Sequence, residues 1–326
     1  MSFRPTARRA PPRLYRSKLF VPGSRSALFE KAAAGDADVV CLDLEDSVAP
    51  PDKDHARDNI VSALNDIDWN RKLVTVRING LDTHWCYRDV LSLVEKGGER
   101  LDAIMIPKVG NASDVYAIDM LVTQATHAVS RRKQIGLEVI IETVAGLTNI
   151  DAIAGASPRL ESLHFGSADY AASQGMRTTN IGGGNADYAI LSDGEVRERH
   201  WNDLWHYPLF RLAQAARMHG IVPIDGPFGD YSDAEGFRAQ ARRTAVLGCE
   251  GKWAIHPSQV ALANEIYTPP AREVARAEAI LATLKDAHEK GVGAVALDGV
   301  LIDAASIRQA ETIVRQMQMV REQRKV

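Results

Sequence analysis

Short apolar runs recur along the chain and alternate with longer stretches that carry hydrophobic residues on one helical face. The eight runs occupy residues 18–21, 39–44, 73–78, 103–106, 137–141, 162–165, 221–224 and 251–255. They are rich in aliphatic residues and often end in Gly, Pro or a charged residue, which is typical of buried parallel strands. The intervening stretches predict helices at 25–34, 53–64, 87–95, 112–129, 144–156, 208–219 and 234–247.

Strands that alternate with helices in this way predict an α/β fold, a (β/α)8 TIM barrel, over residues 17–268. A doubly wound open sheet is the alternative, but no GxGxxG turn follows the first strand. Two more helical stretches, at 272–290 and 304–324, follow Pro269 and Pro270. Because a barrel does not need them, residues 269–326 predict a C-terminal helical extension that packs outside or reaches a neighbouring subunit.

Composition narrows the class of protein. The 326 residues are 45% hydrophobic and 25% charged, with a formal net charge of −3, which is ordinary for a globular domain. The three cysteines are scattered and form no CxxC pair, which disfavours a disulfide framework or a zinc site and favours the cytoplasm. No apolar run approaches the ~20 residues of a membrane span. The charge balance, without a basic stripe, also argues against nucleic acid as a partner.

The N-terminal residues 1–16 form a basic tail. No acidic residue occurs before Glu30. Three interpretations stay open: a transit peptide, a solvated tail, or a contribution to binding an anionic ligand. Pro5, Pro11 and Pro12 interrupt the amphipathic helix that a transit peptide needs.

Catalytic residues of a barrel lie where its strands end at the carboxyl side. Polar residues follow the predicted strands at Asp43, Glu45, Asp46, Arg77, Asn79, Lys108, Glu142, Asp169 and Asp225. Glu142 and Asp169 follow neighbouring strands, and two carboxylates without His or Cys predict an oxygen site for Mg²⁺. The alternative is that each carboxylate pairs with a Lys or Arg. Arg77 either forms an ion pair with the acidic segment 43–46 or grips a substrate carboxylate or enolate oxygen.

A possible anion site lies in the segment 21–31. A strand, a Gly turn and a helix start, with Arg25 and Lys31 nearby, could hold phosphate. An ordinary capped helix is the alternative. No GxSxG elbow or Cys–base pair supports acyl-enzyme chemistry.

Several segments together resemble a known family. They are KLFVPGSR, CLDLEDSV, VRINGLDT, IPKVG, IIETVAG, FGSADYAAS, PIDGPFGD and GKWAIHPSQ, in this order. Over about residues 14–325 the chain resembles the citrate-lyase β-subunit-like branch of the HpcH/HpaI aldolase superfamily, and within it the malyl-CoA/β-methylmalyl-CoA lyases. The resemblance implies a (β/α)8 barrel and a homotrimer or homohexamer. It also implies a lyase that depends on Mg²⁺, with Mn²⁺ as a substitute.

The resemblance also implies roles for individual residues. Glu142 and Asp169 would bind the metal, Arg77 would bind substrate, and Asp303 would act as catalytic acid or base in a neighbouring subunit. We interpret Glu45 and Asp46 as catalytic residues that orient Arg77 or water at the metal. Contacts with the substrate or its CoA moiety are expected from Phe20, Arg25, Lys31, Arg77, Ala168, Asp169, Lys252, Trp253, Ile255 and His256. Val300 stands where relatives often carry a basic residue, which removes a CoA-phosphate contact there.

The implied reaction is reversible C–C cleavage of (S)-malyl-CoA to acetyl-CoA and glyoxylate, and of β-methylmalyl-CoA to propionyl-CoA and glyoxylate. Four alternatives stay open: a citramalyl-CoA lyase, a malyl-CoA thioesterase, an aldolase for free 2-keto acids without a CoA site, and a non-catalytic CoA-binding subunit.

Overall fold

The chain divides after Asn264 into two compact units. The structure, a computed structural model, describes residues 10–289, 291 and 293–323. The last residues of the two predicted C-terminal helices, Lys290 and Arg324, lie outside the described residues, as do the first nine residues of the predicted basic tail.

The first unit is a parallel barrel. Its first six strands are β1 (Ser17–Pro22), β2 (Val39–Asp43), β3 (Leu73–Arg77), β4 (Ala103–Ile106), β5 (Gly136–Ile141) and β6 (Leu160–Phe165). A hairpin of β7 (Ala189–Leu191) and β8 (Arg199–Trp201) precedes the last two, β9 (Val222–Ile224) and β10 (Lys252–Ala254). The barrel order is β10-β1-β2-β3-β4-β5-β6-β9.

The two edge strands meet and close the barrel. Asp225 forms a parallel bridge with Lys252, and the Trp253 N–H donates to the Asp225 carbonyl over 3.1 Å. The expected TIM barrel is therefore confirmed, and the open sheet is wrong.

Helices follow the barrel strands. They are α1 (Phe29–Ala34), α2 (Lys53–Asp66), α3 (Cys86–Lys96), α4 (Ala112–Ala128), α5 (Val144–Thr148), α6 (Ile150–Ala154), α7 (Ser167–Gln174), α8 (His206–His219), α9 (Ala234–Leu247) and α10 (Ser258–Ile266). Short 3-10 helices span Ser26–Leu28, Pro50–Asp52 and Gly98–Arg100. Among the described helices, none is both long and apolar enough to cross a membrane.

Burial explains the aliphatic character of the strands. Val39, Val40, Cys41 and Leu42 are all fully buried, because one face of β2 fills the barrel and the other packs on helices. The described part of the predicted tail also has buried contacts. Arg16 binds the Asp38 carboxylate, with 2.7 Å between Nη2 and Oδ1.

The second unit is helical with a small hairpin. It contains α11 (Ala271–Glu289), strands β11 (Val295–Leu297) and β12 (Val300–Ile302), and α12 (Ala304–Gln323). The strands pair antiparallel, and the Gln316 amide donates to the Tyr267 carbonyl over 2.9 Å. These elements confirm the expected C-terminal helical extension.

Candidate active site

The carboxyl ends of β2 and β3 carry a buried ion pair. Asp43 and Arg77 are register partners at the ends of these strands. Arg77 Nε and Nη2 each donate to one oxygen of Asp43 over 2.7 Å. Burial raises the pKa of Asp43, but the charge and hydrogen bonds of Arg77, with hydrogen bonds from Ser47 and the Glu45 backbone, lower it by more. The pKa of Asp43 therefore lies below its usual value. The ion-pair interpretation of Arg77 is thus seen directly. The fork uses Nε–H and one N–H of Nη2, so the second N–H of Nη2 is not part of it.

A second layer of charge lies beside the fork. Glu45 Oε2 is 2.9 Å from Arg77 Nη1, and the other Glu45 oxygen binds the Lys108 ammonium. Asp46, whose side chain is 52% exposed, lies 3.3 Å from the same ammonium. Burial raises the pKa of Glu45 to about 7, although Arg77 and Lys108 both lower it. Glu45 and Asp46 therefore each contact both Arg77 and Lys108 at the carboxyl end of the barrel, its mouth.

Glu142 follows β5 and is buried, with 2% of its surface exposed. Its Oε1 accepts the backbone N–H of Lys108 over 2.7 Å. A Cβ added to Gly166, the residue after β6, would lie 2.4 Å from Glu142 Oε2. The absence of a side chain at Gly166 therefore leaves the space that this carboxylate occupies.

Asp169 is the neighbouring carboxylate, in the first turn of α7. Burial is the main factor that raises the pKa of Glu142 to about 8, and the charges of Asp169 and Glu45 add to it. Among the described residues, no hydrogen bond or ion pair is formed by the Asp169 side chain. The alternative in which a Lys or Arg side chain neutralises these two residues is not seen in the described part of the chain.

The donor set fits a hard divalent cation. Glu142 and Asp169 are close enough to repel each other, and no third His, Cys, Asp or Glu among the described residues joins them as a metal-binding group. Mg²⁺ commonly takes one or two carboxylates and fills its other positions with water and substrate. Two oxygen ligands without a soft donor match that preference.

The net charge at the mouth also favours a bound cation. In the described structure, five carboxylates that interact with Arg77 or with one another lie at this end of the barrel: Asp43, Glu45, Asp46, Glu142 and Asp169. They are accompanied by Arg77, Lys108 and Lys53, whose ammonium donates to the Leu44 and Glu45 carbonyls over 2.7 Å. A divalent cation would balance the excess negative charge.

Comparison with known proteins agrees with this geometry. Residues 16–257 match the family model described as HpcH/HpaI aldolase/citrate lyase. The chain belongs to this family.

Its curated relatives in the family are similar over nearly their whole length. A protein of Rhodobacter capsulatus named L-malyl-CoA/beta-methylmalyl-CoA lyase is 57% identical over 321 residues, which cover 98% of this chain and 100% of that protein. A protein of Chloroflexus aurantiacus named malyl-CoA/beta-methylmalyl-CoA/citramalyl-CoA lyase is 36% identical, covering 88% and 82%. These comparisons confirm the resemblance seen in the sequence.

A solved structure shows the same fold. It is the protein CitE from Mycobacterium tuberculosis in complex with magnesium, acetoacetate and coenzyme A. It is 28% identical to this chain, with a TM-score of 0.71, and the match covers 95% of this chain and 99% of that one.

A row of aromatic side chains connects the mouth of the barrel to its interior. The Arg77 guanidinium lies 5.4 Å from the centre of the Phe20 ring, and Phe20 lies 4.3 Å from Trp253. The Trp253 indole N–H donates to His164 Nδ1 over 2.9 Å. The structure thus places Phe20 and Trp253 together beneath Arg77.

Five residues predicted to contact ligand are exposed: Arg25, Lys31, Ala168, Ile255 and His256. Within the described chain, Arg25 and Lys31 form no ion pair. The His256 ring stacks on Tyr231 with 4.6 Å between centroids, and the Ile255 N–H donates to Gln259. All five are accessible to a ligand.

Lys252 has a different environment. It is fully buried, and its ammonium donates to Asp225 Oδ2 and to the Gly226 carbonyl, each over 2.8 Å. The structure therefore does not bring this ammonium to the surface with the other expected ligand contacts.

Asp303 belongs to the second unit and is exposed. Its Oδ1 accepts the N–H of Ala305 over 2.8 Å, at the start of α12. Val300 is 51% exposed in β12.

The sequence does not assign a role to three residues that the structure places at the mouth: Asp43, Lys108 and Gly166. Asp43 belongs to the acidic segment 43–46, and nothing local distinguishes it from Glu45 and Asp46. Lys108 and Gly166 each follow a buried strand by one or two residues, and that position was the available signal.

Proposed function

We propose that this protein catalyses the Mg²⁺-dependent, reversible cleavage of (S)-malyl-CoA to acetyl-CoA and glyoxylate. We propose the same reaction with β-methylmalyl-CoA, which gives propionyl-CoA and glyoxylate. The observation that carries the proposal is the neighbouring carboxylate pair Glu142 and Asp169, at the barrel end that holds Arg77. Neither carboxylate forms an ion pair with a described Lys or Arg side chain. The names of the family relatives that match nearly the full chain support the substrate.

Glu142 and Asp169 would hold the metal ion. When bound, Mg²⁺ supplies Lewis acidity, which lowers the pKa of a substrate hydroxyl at this position. The buried backbone contact from Lys108 keeps Glu142 in place for that role.

Arg77 stabilises the negative charge that develops on the thioester enolate oxygen. It can do so because Asp43 fixes the plane of the guanidinium, while the second N–H of Nη2 lies outside that fork. A donor already aligned with the developing charge costs no reorganisation during the reaction. Glu45 and Asp46 orient Arg77 through Nη1 or hold water near it.

Asp303 exchanges the proton at the enolate carbon. It protonates that carbon in cleavage and removes a proton from the acetyl-CoA methyl group in condensation. We propose that it acts in a neighbouring copy within a homotrimer or homohexamer. Its exposed carboxylate at the start of α12 supports this.

The CoA moiety would lie along Phe20, Arg25, Lys31, Ala168, Trp253, Ile255 and His256. The exposed cations Arg25 and Lys31 suit its phosphates, and the stacked His256 suits its planar base. Lys252 contributes indirectly, by holding the Asp225–Gly226 turn. We place the protein in the cytoplasm, where its three free, buried cysteines stay reduced.

Purified protein incubated with malyl-CoA, β-methylmalyl-CoA and citramalyl-CoA, with and without EDTA, tests the proposal. We expect glyoxylate from the first two substrates, and none in EDTA. Free CoA without a keto acid would instead identify a thioesterase. Preference for citramalyl-CoA would identify the alternative that the name of the Chloroflexus relative suggests.

The variants Glu142→Ala and Asp169→Ala test the metal site directly. Each should lose Mg²⁺-dependent glyoxylate release by at least about 100-fold, because a partner of the metal is removed, while the circular dichroism spectrum is kept. Turnover near the wild-type rate in either variant would remove that residue from the metal site.

A further inference from the structure

Lys108 has an unusual backbone conformation for its residue type. Its φ angle is +54°, in the left-handed region that costs a non-glycine residue about 1 kcal/mol or more. It follows Pro107, two residues after β4 ends. Glycine would adopt this turn without that cost.

The left-handed turn has a local consequence. It presents the Lys108 N–H to Glu142 Oε1 over 2.7 Å. Glu142 is buried, and among the described residues the Lys108 N–H is the hydrogen-bond donor seen at its carboxylate. The backbone of residue 108 therefore determines where the first proposed metal ligand lies.

The side chain reaches the other half of the site. The ammonium binds Glu45 and lies 3.3 Å from Asp46 Oδ1. Glu45 is in turn 2.9 Å from Arg77 Nη1. A continuous line of contacts thus runs from Glu142 through Lys108 and Glu45 to Arg77.

We propose that Lys108 is a positioning residue that couples the two halves of the site. Its backbone N–H fixes Glu142, and its ammonium holds Glu45 in place beside Arg77. The ammonium is the reason that lysine rather than glycine occupies a left-handed position. The inference rests on the proposed function in one respect, that Glu142 binds the metal.

Three variants of Lys108 separate these contributions. Lys108→Met removes the charge and keeps the chain length, Lys108→Gly also relieves the backbone strain, and Lys108→Arg keeps a cation. Ser130→Gly is the matched control, because Ser130 has φ of +51° and lies in the exposed loop that precedes β5, at the amino end of the strands. It relieves similar strain away from the mouth.

We expect kcat for malyl-CoA cleavage to fall about 10- to 100-fold in Lys108→Met and Lys108→Gly, the range typical for partners of active-site ligands. KM for the CoA ester should change by less than about threefold, since the substrate contacts are kept. Lys108→Arg should recover most of the activity, and Ser130→Gly should match the wild type.

Calorimetric titration with Mg²⁺ alone gives a second readout that needs no turnover. Loss of a positive charge beside five carboxylates should tighten Mg²⁺ binding in Lys108→Met. Slower turnover with tighter metal binding distinguishes a positioning role from a general loss of structure. Turnover within twofold of the wild type, or a fall in turnover accompanied by weaker Mg²⁺ binding and a lower melting temperature, would overturn the inference.

Glyoxylate release by the wild-type protein, measured in the same experiment, distinguishes failure of the proposed function from failure of the inference about Lys108. A wild type that releases no glyoxylate refutes the proposed function, and the Mg²⁺ titrations of the variants then decide the inference. An active wild type with an equally active Lys108→Met refutes the inference alone.

Discussion

Gly166 lies so close to Glu142 that no side chain fits at position 166. A methyl group at position 166 would lie 2.4 Å from Glu142 Oε2 and 2.5 Å from Glu142 Cβ. Both distances are shorter than any van der Waals contact, and the nearest atoms belong to a buried side chain. Glu142 would have to move to make room.

Gly166→Ala should therefore weaken Mg²⁺ binding at least about tenfold and lower the free energy of unfolding by about 1–3 kcal/mol, the usual cost of overpacking. Metal titration and urea unfolding measure the two effects. Gly35→Ala is the control, because a Cβ there meets its nearest atom at 3.4 Å. Equal metal affinity in Gly166→Ala and the wild type would contradict the proposed position of Glu142.

His164 is a buried residue whose protonation depends on its surroundings. Its Nε2 lies 2.8 Å from the Ser162 hydroxyl, and Lys18 and Glu138 face it inside the barrel. Burial, together with Lys18, lowers the pKa of His164 to about 4, although Glu138 raises it. The unfolded chain therefore binds a proton at a higher pH than the folded chain does.

This residue should make folding sensitive to acid. Because its pKa is depressed in the folded state, its contribution is present above about pH 6.5 and is lost as the pH falls toward 4. In His164→Gln, an amide oxygen can still accept the Trp253 N–H. The stability advantage of the wild type over this variant should shrink by about 2 kcal/mol between pH 7 and pH 5. Urea unfolding at both pH values measures it, and parallel losses in the two proteins would refute it.

At the scale of elements, the strand register brings the site together. Asp43 and Arg77 are separated by 34 positions in the sequence, yet they are register partners at the ends of β2 and β3. The periodicity of apolar residues predicted the barrel strands because both of their faces are buried. It did not predict the hairpin β7–β8, because these strands are only three residues long and mostly exposed, so burial imposes no pattern on them. The predicted helix 144–156 is two helices, α5 and α6, that meet at Asn149.

The closure of the barrel depends on a buried ion pair between elements. Lys252 of β10 binds Asp225, which follows β9 and also accepts the Thr244 hydroxyl over 3.1 Å. Both charges are fully buried. Removing one partner of such a pair leaves the other charge without compensation.

We expect Lys252→Met to lower the free energy of unfolding by about 3–5 kcal/mol. The double variant Lys252→Met/Asp225→Asn should recover part of this loss, because an amide needs no counter-ion. Urea unfolding gives both values. A raised KM for the CoA ester without loss of stability would instead support direct ligand contact by Lys252.

At the scale of the whole molecule, the proposed site draws on two copies of the chain. Glu142 lies in the barrel unit and Asp303 in the C-terminal unit. If Asp303 acts in trans, an oligomer of two different inactive variants contains some sites in which both residues are intact.

Co-expression of Glu142→Ala and Asp303→Ala, with different affinity tags, tests this arrangement. Mixed oligomers should regain at least about a tenth of wild-type turnover, because a fraction of the sites pairs an intact Glu142 with an intact Asp303. Each variant alone should be inactive. Mixed oligomers as inactive as their parents would contradict action in trans.

The barrel and the carboxylates at its carboxyl end were predictable from the amino-acid sequence. Both follow from local pattern: aliphatic runs need burial on two faces, and charged residues that directly follow them must lie at the strand ends. Glu142 and Asp169 could be paired in advance because consecutive parallel strands are neighbours.

The pairing of the charges with one another was visible only in the folded protein. The fork between Asp43 and Arg77, the line of contacts through Lys108 and the burial of Lys252 depend on side-chain distances across separate strands and loops. Those distances follow from the closure and register of the barrel, which no local stretch of sequence encodes.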